Sequence, residues 1–329
     1  MIVRAPDFWE RPGLASTLLL PLAGLNAAAG RIRHALARPW RAPVPVLCVG
    51  NLVAGGAGKT PTVLALAPLL TKGGRRPHIL TRGYGGRLAG PVRVDPAQHG
   101  AADVGDEALL LARAAPCWIA RDRVAGARAA ITAGADLLLL DDGFQNPGLA
   151  KDFSLLAIDG AYGFGNERLI PAGPLREPLA RGLARAEAAL VIGPDKSGSE
   201  ARIAGRLPVL HARLAAEGAA ELRGRRVFAF AGIGRPAKFY ATLRGLGAEI
   251  VGRRDFPDHH PYGEAEAEAL LAAARTADAM PVTTAKDWVR LPASLRAAFR
   301  AVEVRLEWAE PDWAIELLAP FMLSPAPHG

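Results

Sequence analysis

A cluster of glycines followed by a lysine and a threonine lies early in the 329-residue chain. Backbone N–H groups can wrap closely around a triphosphate only where side chains are absent, and the glycines give the loop that freedom. Lys59 supplies a cation for the β- and γ-phosphates and is expected to be catalytic, while the Thr60 hydroxyl suits Mg²⁺. The loop therefore predicts ATP as a cofactor together with Mg²⁺. The predicted nucleotide-binding residues are Gly55, Gly56, Ala57, Gly58, Lys59 and Thr60.

This loop departs from the common pattern G-x-x-x-x-G-K-[ST] at its first position, where Val53 stands in place of glycine. The cluster is the variant G-G-x-G-K-T. A glycine-rich turn with a solvated lysine is the alternative interpretation. A strand-like run, the glycines, Lys-Thr and a helix-like segment coincide here, however, and that combination favours nucleotide binding.

Two aspartates, Asp141 and Asp142, follow four consecutive leucines further along the chain. A buried strand that ends in carboxylates can hold Mg²⁺ directly or through water, which is the Walker B arrangement. Asp141 and Asp142 are therefore predicted, with Thr60, to be metal ligands. Asp142 could instead cap a helix or begin a turn before Gly143.

Both motifs fall within an alternation of short apolar runs and longer helical segments. Continuous apolar strands separated by helices predict a mostly parallel sheet covered on both faces, which is an α/β doubly wound fold of the P-loop type. A second, smaller α/β domain is predicted from about residue 220, where a fresh strand enters a Gly-Ile-Gly turn. The predicted strands are 44–49, 79–81, 117–120, 137–140, 155–158, 190–192, 209–214, 227–231, 282–284 and 302–306, with a helix at 264–275.

The stretch 13–30 is uncharged and leucine-rich, and arginines follow it. A spanning helix needs about 20 strongly apolar residues, whereas this stretch is rich in alanine and interrupted by Pro21 and Gly24. We expect a helix that lies in the membrane interface, with its arginines meeting anionic lipid. A helix buried against the domain is the alternative. The predicted organisation is an N-terminal apolar and basic helical segment at 1–42, a P-loop domain at 43–220 and a smaller C-terminal domain at 221–329.

The net charge is +8, and the basic residues, mostly arginine, are spread along the chain. Such a balance favours phosphate-bearing ligands or an anionic membrane surface. No run interleaves arginine with aromatic side chains, so nucleic acid is not an expected partner. Cys48 and Cys117 lie in apolar runs without a C-x-x-C pattern. This argues against a zinc site or a disulfide scaffold and fits a reducing cytoplasm.

Six further strings occur in order along the chain. They are RGYGG at 82–86, VGDE at 104–107, DDGFQ at 141–145, LIPAGPLREP at 169–178, FPDHH at 256–260 and TTAKD at 283–287. Over nearly the whole chain, to about residue 290, this set resembles the tetraacyldisaccharide 4'-kinase family.

The resemblance implies transfer of the ATP γ-phosphate to the 4'-hydroxyl of a tetraacyldisaccharide 1-phosphate. This lipid-linked glucosamine disaccharide is a lipid A precursor, and its phosphorylation forms lipid IVA at the cytoplasmic face of the bacterial inner membrane. The resemblance also implies a two-lobed α/β structure with the active site between the lobes. It implies no protein partner.

The resemblance also suggests which residues act on the acceptor. A sugar hydroxyl must lose a proton as it attacks phosphorus, and the family's G-D-E motif places the base at Asp106, which could otherwise cap a helix. His259 is expected to support that base from across the cleft, although the adjacent His260 leaves the assignment open. Glu107 could help to hold Mg²⁺ or start the same helix, and Asp142 is the next candidate base.

Several side chains are candidates for substrate binding. Tyr84 could stack on a sugar ring, while Arg121 and Arg176 could neutralise the 1-phosphate or the transferring group. Gln145 is a further candidate because it is the last residue of the DDGFQ string, and Asn146 is one because it comes directly after that string. The family commonly has histidine where this chain has Asn146, which can form hydrogen bonds but cannot carry charge.

Two other functions stay open from the sequence. One is an ATPase switch related to the partition and metal-delivery ATPases, which also use G-G-x-G-K-T. Those proteins usually carry a further lysine early in the loop, where this chain has Ala54. The other is a non-catalytic nucleotide-binding scaffold at the membrane.

Overall fold

The computed structural model describes residues 6–217, 219–234 and 236–322. The predicted segments 1–42, 43–220 and 221–329 each include residues outside these ranges. The described strands are β1 Val46–Gly50, β2 Pro77–Thr81, β3 Val92–Arg93, β4 Cys117–Ile119, β5 Leu137–Asp141, β6 Phe153–Asp159, β7 Ala188–Ile192, β8 Val209–Ala216, β9 Arg226–Ala231, β10 Glu249–Asp255, β11 Met280–Thr284, β12 Arg300–Val302 and β13 Val304–Trp308.

Helices connect most of these strands. The described α-helices are α1 Leu14–Leu18, α2 Leu20–Leu36, α3 Lys59–Lys72, α4 Ala101–Val104, α5 Asp106–Leu111, α6 Arg123–Thr132, α7 Leu179–Leu183, α8 Ser199–Ile203, α9 Ala219–Leu222, α10 Pro236–Gly245, α11 Glu264–Thr276, α12 Ala285–Trp288 and α13 Pro311–Leu318. Short 3₁₀-helices cover Asp7–Trp9, Arg296–Ala298 and Ala319–Phe321.

A large sheet orders its described strands as β13-β8-β7-β6-β1-β5-β2-β4-β3. β1 lies at its centre and pairs in parallel with both β5 and β6. Successive residues of β1 enter opposite cores: Leu47 packs with one hydrophobic cluster, and Val46 and Cys48 with the other. A sheet covered on both faces explains the continuous apolar runs. The predicted α/β fold with a large, mostly parallel sheet is confirmed.

Both outer strands of this sheet run antiparallel to their neighbours. β3 pairs with β4, and β13 pairs with β8. The prediction of one strand at 302–306 was wrong, because the chain passes from one sheet to the other at that point. β12 ends in the smaller sheet at Val302, and β13 begins in the large sheet at Val304.

The smaller sheet has the order β10-β9-β11-β12, and its described strands are parallel. Its core includes Val227 and Leu243 on one side and Phe230 and Leu270 on the other. The division at residue 220 stays a prediction. A single division point does not describe sheet membership, because β13 and α13 add Leu306 and Leu318 to a core of the large sheet.

The N-terminal helices α1 and α2 present their leucines to solvent. Leu14, Leu18, Leu25 and Leu36 are 79%, 71%, 67% and 77% exposed. The alternative of a helix buried against the domain is therefore wrong. Within the described ranges, no helix is both long enough and apolar enough to cross a bilayer.

Candidate active site

The glycine-rich loop connects the central strand β1 to helix α3. Gly58 has φ +83°, a conformation that L-residues with side chains rarely adopt, and a Cβ there would lie 2.4 Å from Ile192 Cδ1. Gly55 also has a positive φ, of 116°. The backbone thus needs glycine at both positions. The loop delivers Lys59 and Thr60 to the first turn of α3, where unpaired N–H groups favour an anion.

Asp141 lies beside this loop because its strand β5 is parallel to β1. Asp141 is opposite Val49 in the register, so both strands end at the same edge. The Thr60 hydroxyl donates to Asp141 Oδ2 at 3.3 Å. Asp141 Oδ1 is buried and has no hydrogen-bond partner among the described residues. Burial, together with the nearby Glu107 carboxylate, raises the pKa of Asp141 well above its usual range.

Asp142 adopts φ +55°, which is uncommon for a residue other than glycine. Its carboxylate contacts Arg176 Nη1 at 2.8 Å and lies 3.9 Å from Lys59 Nζ. Partial burial opposes ionisation, but Lys59 and Arg176 lower the pKa of Asp142 overall. The two adjacent aspartates therefore differ in character: Asp142 is neutralised by cations, whereas Asp141 keeps an unpaired oxygen.

The proline-rich loop holds Arg176 in place by pairing with the phosphate loop. The Arg176 N–H donates to the Leu52 carbonyl at 2.8 Å, and the Ala54 N–H donates to the Pro174 carbonyl at 2.8 Å. Arg176 Nη1 also lies 3.4 Å from Gln145 Oε1. The structure thus brings the predicted Arg176 of the proline-rich loop to two predicted residues of the DDGFQ string, Asp142 and Gln145.

Asp106 forms the second half of the site. It is the first residue of α5, and Gly105 precedes it with φ +87°. A Cβ on Gly105 would lie 2.3 Å from the Tyr84 carbonyl oxygen, so the turn that presents Asp106 requires glycine. The Asp106 side chain is 3% exposed. His259 Nδ1 lies 3.1 Å from Asp106 Oδ2, which joins residues that follow strands of different sheets.

Arg290 is the other partner of Asp106. Its Nε and Nη2 donate to Asp106 Oδ2 at 2.8 and 2.6 Å. Burial alone would raise the pKa of Asp106, but the hydrogen bond with His259 and the charge of Arg290 hold it well below its usual range. The same hydrogen bond raises the pKa of His259. Asp106 is thus an anion with cationic neighbours.

The adjacent histidines have different partners. His260 Nε2 lies 2.6 Å from Glu266 Oε2, and the His260 ring stacks on Phe256. His259, like Asp142, has a positive φ, of 57°. Backbone strain of this kind concentrates at functional sites. The geometry therefore favours His259 over His260 as the partner of Asp106.

Glu107 projects toward the smaller sheet. Lys286 Nζ donates to Glu107 Oε1 at 2.5 Å. Burial alone would lower the pKa of Lys286, but the charges of Glu107 and Asp106 raise it. Asp141 also raises the pKa of Lys286, so this lysine offsets the negative charge of three carboxylates, Glu107, Asp106 and Asp141.

The remaining predicted residues lie at different distances from this centre. Tyr84 is 63% exposed, and its ring meets the edge of the His259 ring at 5.6 Å between centroids. Arg121 is exposed just beyond β4. Asn146 Oδ1 accepts hydrogen bonds from the N–H groups of Gly148 and Leu149, so its side chain stabilises its own turn.

Comparison with known proteins agrees with this geometry. The family model described as LpxK, tetraacyldisaccharide-1-P 4'-kinase, matches residues 15–321. The chain belongs to the tetraacyldisaccharide 4'-kinase family. It is 60% identical over 334 residues to the tetraacyldisaccharide 4'-kinase of Rhodospirillum centenum, covering 99% of each chain. It is 55% identical over 312 residues to that of Gluconacetobacter diazotrophicus, covering 94% of this chain and 95% of the relative.

A solved structure is also similar. LpxK from Aquifex aeolicus, crystallised in complex with ATP, superimposes with a TM-score of 0.76 and 26% identity. The match covers 94% of this chain and 100% of that chain. The large sheet of this tetraacyldisaccharide 4'-kinase family member thus occurs in a relative whose crystals contain the nucleotide that the loop predicts.

Some site residues of this family member were not found from the sequence. Lys286 and Arg290 lie four residues apart around the short helix α12, a spacing that puts side chains on one face and was the available signal. Arg123 was also missed. It is buried two residues after the exposed Arg121, and its charge helps to lower the pKa of Asp142. Its position at the start of α6 gave no local sign of this role.

We expect Lys59→Ala to reduce phosphoryl transfer by at least about 10²-fold, the usual effect of removing one preorganised electrostatic group. The fold should persist, because Asp142 keeps Arg176 as its closer partner. The effect is measured as transfer of labelled phosphate from ATP to a tetraacyldisaccharide 1-phosphate. Circular dichroism checks that the variant is folded. Lys72→Ala, at the exposed far end of α3, is the matched control and should retain activity. Wild-type transfer by Lys59→Ala would contradict the assignment.

Proposed function

We propose that this protein transfers the γ-phosphate of ATP to the 4'-hydroxyl of a tetraacyldisaccharide 1-phosphate, forming lipid IVA. The observation that carries the proposal is that two half-sites lie close together, since Glu107, next to Asp106, raises the pKa of Asp141 beside the phosphate loop. Lys59 and Thr60 supply a phosphate loop, and Asp106 with His259 supplies a carboxylate–histidine pair that joins the two sheets. Phosphoryl transfer needs both a phosphate cradle and a group that orients the acceptor.

Mg²⁺ fits the residues between the half-sites. The Thr60 hydroxyl and the unpaired Asp141 Oδ1 are oxygen donors of the kind that Mg²⁺ prefers. The described residues contain no cluster of three or more His, Cys, Asp or Glu side chains able to hold a metal alone. Mg²⁺ usually keeps water and phosphate oxygens among its ligands. When bound, it would neutralise charge between the β- and γ-phosphates.

The protein cations complete the phosphate site. Lys59 lies at the helix start where the β- and γ-phosphates are expected, and Arg176 reaches the same region from the proline-rich loop. Asp142 holds both side chains near this position. We assign Asp142 to organising Lys59 and Arg176 and to supporting Mg²⁺. Glu107 is paired with Lys286. We therefore assign it an electrostatic effect on Asp141 and not direct binding of Mg²⁺.

Asp106 is the proposed acceptor of the hydroxyl proton. Its low pKa makes it a weak base, but the loose transition state of phosphoryl transfer places little demand on early proton removal. Asp106 can therefore orient the hydroxyl first and take the proton as the new O–P bond forms. His259 holds the carboxylate from the other sheet, and the exposed Tyr84 ring beside it is available to the sugar.

Asp141→Asn should raise the Mg²⁺ concentration needed for half-maximal activity by about 10–100-fold, a typical cost of perturbing a metal site. The asparagine can still accept from Thr60, so the fold should persist. Activity and ATP affinity are measured against Mg²⁺ concentration. The control is Asp136→Asn, before the amino end of the same strand, where the carboxylate binds Arg76. An unchanged Mg²⁺ requirement in Asp141→Asn would exclude Asp141 from the site.

Asp106→Asn should reduce kcat by about 10²–10⁴-fold, the usual contribution of a positioned base. ATP affinity should stay nearly unchanged, since Asp106 does not contact the phosphate loop. The assay follows phosphate addition to a tetraacyldisaccharide 1-phosphate by mass spectrometry. The wild-type protein should require this acceptor. ATP hydrolysis without any acceptor would favour the ATPase switch, and binding without turnover would favour the scaffold.

We further propose that α1 and α2 lie on the cytoplasmic surface of the inner membrane. Polar contacts attach them to the rest of the protein: Asn26 Nδ2 donates to the Ile170 carbonyl at 2.9 Å, and Arg168 Nη1 donates to Ser16 Oγ at 2.8 Å. The leucines are left free to enter lipid, and arginines at the end of α2 can meet anionic headgroups.

A triple variant in which Leu18, Leu22 and Leu25 are each replaced by serine should co-sediment less with anionic phospholipid vesicles. Burying a leucine gives at most about 1.5–3 kcal/mol, and these side chains are 71%, 53% and 67% exposed. Because these leucines are already exposed in the folded protein, their replacement should change its thermal stability little. The control replaces Leu214 and Ile315, which are 44% and 43% exposed elsewhere. Unchanged vesicle binding would show that the membrane-binding surface of the protein lies outside these helices.

A further inference from the structure

Arg290 lies between the two sheets with its side chain only 4% exposed. Toward the large sheet, its Nε and Nη2 donate to Asp106 Oδ2 at 2.8 and 2.6 Å. Toward the smaller sheet, its Nη1 donates to the Gly232 carbonyl at 2.9 Å and to Asp287 Oδ1 at 3.1 Å. A planar guanidinium engaged on both sides is held in one orientation.

The smaller sheet anchors this guanidinium rigidly. Asp287 is fully buried, and its Oδ1 also accepts from the Gly232 N–H at 2.9 Å and the Tyr262 hydroxyl at 2.8 Å. Its Oδ2 accepts from Thr284 Oγ1 at 2.6 Å. A buried polar network with every member paired is stiff. Through Arg290, the position of the Asp106 carboxylate is therefore fixed relative to the smaller sheet.

The two oxygens of Asp106 differ in the number of hydrogen bonds they accept. Oδ2 accepts two N–H groups from Arg290 and faces Nδ1 of His259 at 3.1 Å. Oδ1 accepts only the N–H of Glu107, at 2.9 Å, among the described residues. A carboxylate oxygen offers about two lone-pair sites. Oδ2 is therefore saturated, whereas Oδ1 keeps one site for another donor.

We propose that Arg290 is a positioning residue that fixes the Asp106 carboxylate so that Oδ1 receives the acceptor hydroxyl. The inference rests on the proposed function and adds to it the oxygen used and the group that selects it. In the step, the acceptor oxygen forms a bond to the γ-phosphorus while the bond from phosphorus to the ADP oxygen breaks. The hydroxyl proton passes to Asp106 Oδ1. Arg290 does not touch the transferring group.

Arginine is required here for its shape as well as its charge. Lysine would supply a cation but not the fork that binds Asp106 and Asp287 at once. A small displacement of a reacting group can cost about 10²-fold in rate. Arg290→Lys should therefore lower kcat by about that factor while leaving the KM for ATP nearly unchanged. The assay uses the full chain, ATP and the tetraacyldisaccharide 1-phosphate in detergent micelles.

A double-mutant cycle separates positioning from simple structural support. Because Arg290 acts through Asp106, Arg290→Lys should add almost no further loss of kcat in the Asp106→Asn background. Arg296→Lys is the matched control. Arg296 packs on Trp288 and donates to the Val289 and Leu291 carbonyls nearby, so its replacement should affect thermal stability but not kcat.

The outcomes distinguish this inference from the proposed function. A wild-type kcat for Arg290→Lys, or losses that multiply with those of Asp106→Asn, would overturn the role of Arg290 while leaving Asp106 as the base. A change in thermal stability alone, with kcat preserved in the folded protein, would overturn it equally. Wild-type transfer by Asp106→Asn would instead refute the base itself, and the positioning role with it.

Discussion

Mutual repulsion among carboxylates is the constraint on which the rest of this site depends. Asp106, Glu107, Asp141 and Asp142 meet near the carboxyl edge of the large sheet, close enough that Glu107 and Asp142 both raise the pKa of Asp141. Such a group is stable only if cations offset it. Each cation pairs with particular carboxylates, and among these four carboxylates only Asp141 has a buried oxygen without a hydrogen-bond partner within the described residues. In the proposed site, this oxygen is the one that would bind a divalent cation.

The compensating cations come from separate parts of the chain, and this links the architecture to the chemistry. Lys59 belongs to the phosphate loop, Arg176 to the proline-rich loop, and Lys286 and Arg290 to the smaller sheet. Separating the sheets would leave Asp106 and Glu107 without their ion pairs. For the buried Asp106–Arg290 pair, removing one partner is strongly destabilising, typically by about 3–5 kcal/mol. The relative position of the sheets is thus coupled to the charge balance of the site.

Sequence reasoning was most successful where the chemistry is local. The phosphate loop, the buried strand before Asp141 and the strands of the large sheet other than β3 and β13 are encoded in short patterns, and the structure contains them. The partners of Asp106 depend on contacts across 153 and 184 residues, which no local pattern specifies. The family resemblance suggested His259, whereas Arg290 had only its spacing from Lys286. The strand at 302–306 was misread because apolar periodicity does not reveal which sheet a strand joins.

One short segment connects the proposed membrane surface to the phosphate loop. The Trp9 indole donates to the Pro171 carbonyl at 3.0 Å, and Asn26 donates to the preceding carbonyl. A few residues later the same segment pairs its backbone with residues 52 and 54 and presents Arg176 to Asp142. A headgroup held at the bilayer surface must bring its hydroxyl to a fixed point, and flexible attachment would lose that advantage. In the proposed membrane-bound state, docking of the exposed helices on the segment that also supports the phosphate loop would set the distance between lipid and phosphate by backbone geometry.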